Sequence, residues 1–146
     1  MEKPSPASLH SALKQEGLRL TPQRMAICTF LAEADTHPTA AMIFEHIRGL
    51  YPSLSLTTVY NTLEALVRAG VVNALGHAGD DTAHYDANLS PHVNLACIAC
   101  HKIVDIPSSQ VASMDQEIGT ASGYKLLGAR VMYYGLCPTC QLIQSQ

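Results

Sequence analysis

An α+β chain in two parts, helices first and a small sheet afterwards, is predicted by three features of the sequence. Apolar residues recur at helical spacing behind three Ser/Thr caps between residues 21 and 70. Short β-prone segments bounded by turn formers replace that pattern from residue 71 onward. Two Cys-x-x-Cys turns, at 97–100 and 137–140, punctuate the second half. Composition agrees: 146 residues, 47% hydrophobic and 14% charged, fit one ordinary domain or two small ones.

Residues 8–16 read as a short helix with Leu9, Ala12 and Leu13 on one side and Gly17 as its stop. Thr21-Pro22 puts an N-cap before a proline at the first helical position, and Ile27, Phe30, Leu31 and Ala34 follow at helical spacing. After the turn Asp35-Thr36-His37-Pro38, Thr39 caps a third helix whose Ala40, Ile43, Phe44, Ile47 and Leu50 share a face. Tyr51-Pro52 ends it, because a residue before proline is pushed out of the α region. Ser55 caps a fourth helix with an apolar stripe of Leu56, Val59, Leu63, Leu66 and Val67, stopped by Gly70. The short loop between the last two helices suggests a helix-turn-helix.

Val71-Val72-Asn73-Ala74-Leu75 and Ala83-His84-Tyr85-Asp86 flank a run of turn formers, Gly76-His77-Ala78-Gly79-Asp80-Asp81-Thr82, so a hairpin follows the helices directly. A helix-turn-helix followed by a hairpin is the winged-helix pattern. Residues 87–91, Ala-Asn-Leu-Ser-Pro, are the linker, so the expected division is 1–86, a hinge at 87–91, and 92–146. In the second part, residues 93–97 and 102–106 read as strands joined by the first Cys-x-x-Cys turn, Ser109–Ser122 as a helix stopped by Gly123, and Val131-Met132-Tyr133-Tyr134, within 126–136, as a third strand. A three-stranded antiparallel sheet is expected. A module of about 55 residues buries too little surface to stand alone, so a metal staple and a dimer interface are both expected.

Projected at helical spacing, Thr57, Asn61, Ala65 and Arg68 lie opposite the apolar stripe of the fourth helix, with Thr58 and Tyr60 flanking them. Hydroxyl and amide groups suit base edges and phosphates, and an aromatic ring suits thymine methyls. Lys14 and Arg19 are further candidate DNA contacts. The competing reading is a polar face that is merely solvated, as on any amphipathic helix. Charge does not decide between them: residues 1–70 hold six Lys/Arg against six acids and the remainder three against six, for a net −3. The start, Met1-Glu2-Lys3-Pro4-Ser5-Pro6, has no apolar h-region and no stretch approaches a membrane span, so a cytoplasmic protein without a membrane partner is expected.

Five cysteines in a reducing compartment favour metal over disulfides. Cys97, Cys100, Cys137 and Cys140 offer four thiolates, the ligand set of a closed, structural zinc site. Two rivals exist. Cys97-Ile98-Ala99-Cys100-His101 matches the attachment pattern of c-type haem, but that would leave the second pair unexplained. A thiol-disulfide oxidoreductase would want a βαβ context, and none precedes either turn. Cys28, on the apolar side of its helix, reads as a core thiol.

A second constellation follows from register. If the hairpin pairs Cys97 with Lys102, then Asn94 lies opposite Asp105, and His92 shares their face two residues earlier. One imidazole with amide and carboxylate oxygens suits a harder divalent ion, manganese or ferrous iron. The competing reading is three polar residues on a solvated sheet face. No nucleophile–base arrangement or phosphate-cradling glycine loop appears, so catalysis is not expected.

Taken together, Gly17-Leu18-Arg19-Leu20-Thr21-Pro22-Gln23-Arg24, His37-Pro38-Thr39-Ala40, Thr58-Val59-Tyr60-Asn61-Thr62-Leu63 and Cys97-x-x-Cys100-His101-Lys102-Ile103-Val104-Asp105 resemble the ferric uptake regulator (Fur) family, and within it the peroxide-sensing (PerR) branch. The resemblance runs from about Leu9 to Cys140. It implies a homodimeric, metal-dependent repressor that binds double-stranded DNA at a palindromic operator. It further implies structural Zn2+ on the four cysteines and a regulatory Fe2+ or Mn2+ held by His37, Asp86, His92, the position of Asn94, and Asp105. Aspartate at 86 and 105, where iron-uptake regulators commonly carry glutamate, favours the peroxide branch. The alternative within the family is a sensor of iron, manganese, zinc or nickel supply without peroxide chemistry. Two positions depart from the pattern: His101 replaces the usual glycine, and Asn94 the usual histidine. His10 and His84 are the histidines available as substitutes, each expected to lie at the surface.

Overall fold

In a computed structural model, which describes residues 3–76, 78–126 and 129–145, the chain divides into two compact units. The first comprises Met1–Gly76 with Thr82–Leu89, and the second His77–Asp81 with Ser90–Gln146. His77 in the expected turn lies outside the described residues, as do Met1, Glu2, Leu127, Gly128 and Gln146.

Four helices build the first unit: α1 (Pro6–Gln15), α2 (Pro22–Glu33), α3 (Ala40–Ile47) and α4 (Leu56–Arg68). Each begins on a hydroxyl that accepts an otherwise orphaned backbone N–H: Ser5 from Ser8, Thr21 from Arg24, Thr39 from Met42 and Ser55 from Thr58, at 3.0–3.2 Å. Their apolar stripes meet in one core of Leu9, Leu13, Ile27, Leu31, Ile43, Ile47, Val59, Leu63 and Leu66, joined by Val72 from beyond α4. Cys28 is fully buried there, and burial pushes its thiol up to about 12, an inert core group as expected.

Two details differ from the periodicity. Leu50 is 77% exposed, because α3 ends at Ile47 and helical spacing no longer applies beyond it. The buried arc of α4 is rotated toward Thr62 and Ala65, since α1, α2 and α3 all pack on that helix. Ala65 is therefore buried rather than on the polar face, while Leu56, expected inside, is 40% exposed. Thr62 tolerates full burial by donating its hydroxyl to the Thr58 carbonyl at 2.7 Å. The hairpin β1 (Asn73–Leu75) and β2 (His84–Asp86) completes the unit, and the Tyr85 N–H donates to the Pro38 carbonyl at 2.9 Å, tying β2 to the turn that carries His37.

The second unit contains β3 (His92–Cys97), β4 (Ile103–Pro107), α5 (Ser109–Ser122), β5 (Met132–Gly135) and α6 (Pro138–Gln144). Its sheet runs β4-β3-β5 and is mixed, not the antiparallel sheet expected: β3 and β4 are antiparallel, but β5 is parallel to β3. The reason is the crossover. The chain leaves β4 beside His92, travels out along α5 and returns to start β5 beside Asn94, so β5 ends at Gly135 opposite Cys97. An antiparallel β5 would deliver the second cysteine pair to the wrong end of the sheet. Helix α6 was not expected, although a proline directly after the capping Cys137 is a helix-start signal.

Residues 78–81 pack within this unit. The His101 ring Nδ1 lies 2.7 Å from the Ala78 carbonyl, to which it donates, and His101 itself takes φ +66°. Gly79 has φ +86°, and a Cβ there would stand 2.9 Å from the Ile98 carbonyl oxygen. Both backbone handedness and space therefore require glycine. Gly79→Ala is expected to cost about 1–3 kcal/mol, read as a lower melting temperature with the zinc content unchanged. No helix among the described residues is long and apolar enough to cross a membrane.

Candidate metal centres

The cysteine cluster is assembled by backbone direction. Cys97 and Cys100 bracket the tip of the β3–β4 hairpin, where the Cys97 N–H donates to the Lys102 carbonyl at 2.9 Å. The Ile98 N–H bonds the Gly135 carbonyl at 3.0 Å, which sets Cys137 two residues farther on against the same turn. One sulfur from each of Cys97, Cys100, Cys137 and Cys140 lies within 4.8 Å of all the others. Cys100 and Cys137 sulfurs are 3.9 Å apart, far too long for a disulfide and close to the edge of about 3.8 Å of a tetrahedron with Zn–S bonds of about 2.3 Å. The residues fit structural zinc. Haem attachment or a single redox pair would use only two of these four convergent sulfurs.

The protons on these sulfurs are unequally held. Backbone N–H groups of Cys100 and Cys137 stabilise the Cys97 thiolate and lower its pKa to about 6. The neighbouring Cys137 and Cys97 sulfurs hydrogen-bond to Cys140 and raise it to about 12. Zinc binding requires all four as thiolates, the form already favoured at Cys97 and disfavoured at Cys140.

A second donor group lies in the first unit. His37 sits in the α2–α3 turn and Asp86 at the end of β2, with His37 Nε2 and Asp86 Oδ2 3.3 Å apart and both side chains 5% exposed. The Asn88 N–H donates to Asp86 Oδ1 at 2.8 Å, which orients the other oxygen toward the histidine. His84 is buried, not at the surface as expected, and its Nδ1 donates to the His37 carbonyl at 2.8 Å. Its alternation with Asp86 along β2 turns it inward on the same side. His10 is half-buried in α1.

The second unit carries the other donors. Asn94 pairs with Asp105 across β3 and β4, the register expected from the Cys-x-x-Cys turn. His92 Nε2 lies 3.2 Å from Asn94 Oδ1 and 3.6 Å from Asp105 Oδ1. His92 Nδ1 donates to the Ser90 carbonyl at 2.6 Å, an arrangement typical of metal-ligating histidines because it fixes tautomer and ring plane. Imidazole and oxygen donors without thiolate, in each unit separately, fit Fe2+ or Mn2+. Neither the Ser90 carbonyl nor the His84 contact has a signal in the sequence, since a backbone carbonyl is common to every residue type.

On α4, Thr57, Tyr60, Asn61 and Arg68 are exposed, as are Lys14 and Arg19. Thr58 is half-buried, and its hydroxyl pairs with the capping Ser55 at 2.9 Å. Arg68 meets the Glu16 carboxylate at 3.4 Å. Glu64 is also exposed, in the same stripe between Asn61 and Arg68.

The profile of the ferric uptake regulator family matches residues 15–134. The peroxide-responsive repressor PerR of Staphylococcus aureus (strain USA300) is 34% identical over 131 residues, covering 90% of this chain and 88% of that one. The PerR of Staphylococcus saprophyticus matches to the same extent, 34% over 131 residues. Among solved structures, PerR from Streptococcus pyogenes is 33% identical, covers 96% of both chains and superposes with a TM-score of 0.53. The Helicobacter pylori ferric uptake regulator shares the fold at 22% identity, with a TM-score of 0.77 over 97% of each chain. With the profile spanning most of its length and these relatives covering nine-tenths of it, the chain belongs to the ferric uptake regulator family.

Proposed function

We propose that the protein is a metal-dependent, DNA-binding transcriptional repressor that responds to peroxide, as its PerR relatives are named to do. The observation that carries this reading is the segregation of donors. All four clustered thiols lie in one site, leaving His37, Asp86, His92, Asn94 and Asp105, nitrogen and oxygen donors alone, for a regulatory Fe2+ or Mn2+. Ferrous iron, when bound, supplies the one-electron reduction of peroxide that manganese does not supply under the same conditions.

Residues 1–86 are the DNA-binding domain, 87–91 the hinge and 92–146 the dimerisation and metal-binding domain. Thr57, Thr58, Tyr60, Asn61 and Arg68, with Lys14 and Arg19, contact an operator whose two half-sites match a homodimer. The dimer interface is the apolar face of the second unit's sheet. Val104, Leu95 and Tyr133 align across its three strands on the side opposite Asn94 and Asp105, and Val104, Ile106 and Tyr133 are 38%, 47% and 60% exposed. The protein acts in the cytoplasm and is not an enzyme. The regulatory donors are His37 and Asp86 before the hinge and His92, Asn94 and Asp105 after it, and losing any of them loosens the DNA-competent state.

As ligands, His37 or His92 would be the target: one peroxide oxygen would enter a C–H bond of the imidazole ring and the other would leave as water. Exposing the iron-loaded protein to peroxide and digesting it should reveal a mass gain of one oxygen on a peptide containing His37 or His92, absent from a manganese-loaded sample. Oxidation confined to cysteine or methionine would mean that peroxide is not sensed through these ligands. Asn94, which removes an imidazole from the set, favours one second reading, a sensor of metal supply. DNA binding that followed metal concentration and ignored peroxide is its signature.

A further inference from the structure

The strands of the β1–β2 hairpin belong to the first unit, but residues 78–81 of the loop between them belong to the second. Ala78 is fully buried there, outside the core of the four helices. Both polar groups of its backbone are satisfied: the N–H donates to Asp80 Oδ1 at 3.1 Å, and the carbonyl accepts from His101 Nδ1 at 2.7 Å. Next to it, Gly79 lies so close to Ile98 that a Cβ would stand 2.9 Å from the Ile98 carbonyl oxygen. The loop is therefore fitted to the tip of the β3–β4 hairpin, between the first two cysteines and just after them.

His101 makes this contact from a backbone at φ +66°, uncommon for a residue with a side chain but tolerated by histidine and asparagine better than by most. Its own N–H donates to the Cys97 carbonyl at 2.8 Å, so the turn that gathers Cys97 and Cys100 also fixes where the ring points. The charge of the loop argues against a second role at DNA. A wing tip laid on a duplex meets one negative charge per about 1.7 Å of helix axis. From Ala69 to His101 the chain has no Lys or Arg, and the tip carries Asp80 and Asp81.

We propose that the β1–β2 loop is a latch docked on the zinc hairpin, with His101 as its positioning residue, and not a wing that grips DNA. The cysteine turn then does more than staple the sheet. By holding Cys97 to His101 in one conformation it also holds the tip of a hairpin whose strands are paired in the first unit, so order at the zinc site reaches that unit through the loop as well as through residues 87–91. The docking goes beyond the metal and DNA assignments above; the exclusion of the loop from DNA rests on the DNA-binding reading.

The test compares the full-length, zinc-loaded parent with His101→Gly and His101→Asn. Glycine keeps the left-handed turn and deletes the donor, whereas asparagine keeps the turn and offers an amide N–H from the atom that corresponds to Nδ1. Hydrogen–deuterium exchange is read by mass spectrometry on peptides spanning residues 78–81, with peptides from α2 and β4 as controls. Exchange in the loop is expected to be roughly fivefold faster in His101→Gly and close to the parent in His101→Asn, with zinc content and control peptides unchanged in both. Parent-like exchange in His101→Gly overturns the latch, and so does fast exchange in His101→Asn with zinc retained. If His101→Gly loses zinc, Gly79→Ala decides instead: faster loop exchange with zinc retained supports the latch, and unchanged exchange overturns it. For the second part, Mn2+-loaded parent selects a duplex from a random-sequence pool, and Asp81→Asn, which tolerates the same backbone, is titrated with that duplex at low and high salt. Affinity within about twofold of the parent at both is expected of a loop away from the phosphates. A several-fold gain at low salt that vanishes at high salt places the loop at the DNA and overturns that part. If the parent selects no duplex, the DNA-binding reading fails and the exchange measurements alone decide the latch.

Discussion

Cys140→Ser is expected to remove zinc from the protein and unfold its second unit. The sulfur it deletes is buried and within reach of three others, and a zinc held by four thiolates supplies binding energy on the order of 10–16 kcal/mol that acts as folding energy. Little else in that unit could replace it. Its sheet has three short strands, α5 buries only Val111 and α6 only Cys140 among their side chains. Zinc analysis and thermal denaturation followed by circular dichroism check this: less than one zinc per chain, with loss of the strand signal and survival of the helical first unit, is the expected result. A variant that kept the parent's melting temperature would show that the unit does not need its staple. The parent's own zinc affinity should fall as pH drops, because protons then compete for the sulfurs.

How far the sequence carries can be judged residue by residue. The helix starts were legible because Thr21, Thr39 and Ser55 each perform a chemical act, accepting an orphaned N–H, that few other side chains can perform. The pairing of Asn94 with Asp105 was legible because a Cys-x-x-Cys turn of fixed length leaves one register. The direction of β5 was not, since either direction satisfies the same strand pattern and only the path of the chain through α5 chooses between them. Ala65 and Leu56 exchanged places because the burial of a helix face depends on what packs against it, and three helices press on α4 from one side. The aim of Asn94 was beyond reach for another reason. Its Nδ2 donates to the carbonyl of Val131, 37 residues away, and a carbonyl carries no residue identity.

Asp86 offers the sharpest separation of a structural role from a metal-binding one. Its two oxygens have different tasks: Oδ1 accepts the Asn88 N–H at 2.8 Å, and Oδ2 faces His37 Nε2 at 3.3 Å. Asp86→Ala removes both and leaves a buried N–H to find a new partner, so it is expected to destabilise the first unit by about 1–3 kcal/mol as well as to lose the labile ion. Asp86→Asn keeps the shape and an oxygen for Asn88 but discards the negative charge that offsets a dication. Its melting temperature should stay close to that of the parent, while its affinity for Mn2+ drops about a hundredfold, since the charge of a hard-ion site is its main source of attraction. Zinc on the four cysteines should be untouched in both variants. Oxygen uptake at His37 and His92 after iron loading and peroxide should disappear with the ion. If Asp86→Asn bound Mn2+ as tightly as the parent, the carboxylate would be a partner of Asn88 and His37 within the fold and nothing more. A normal melting temperature with lost metal and lost oxidation is the result expected of Asp86 as a ligand.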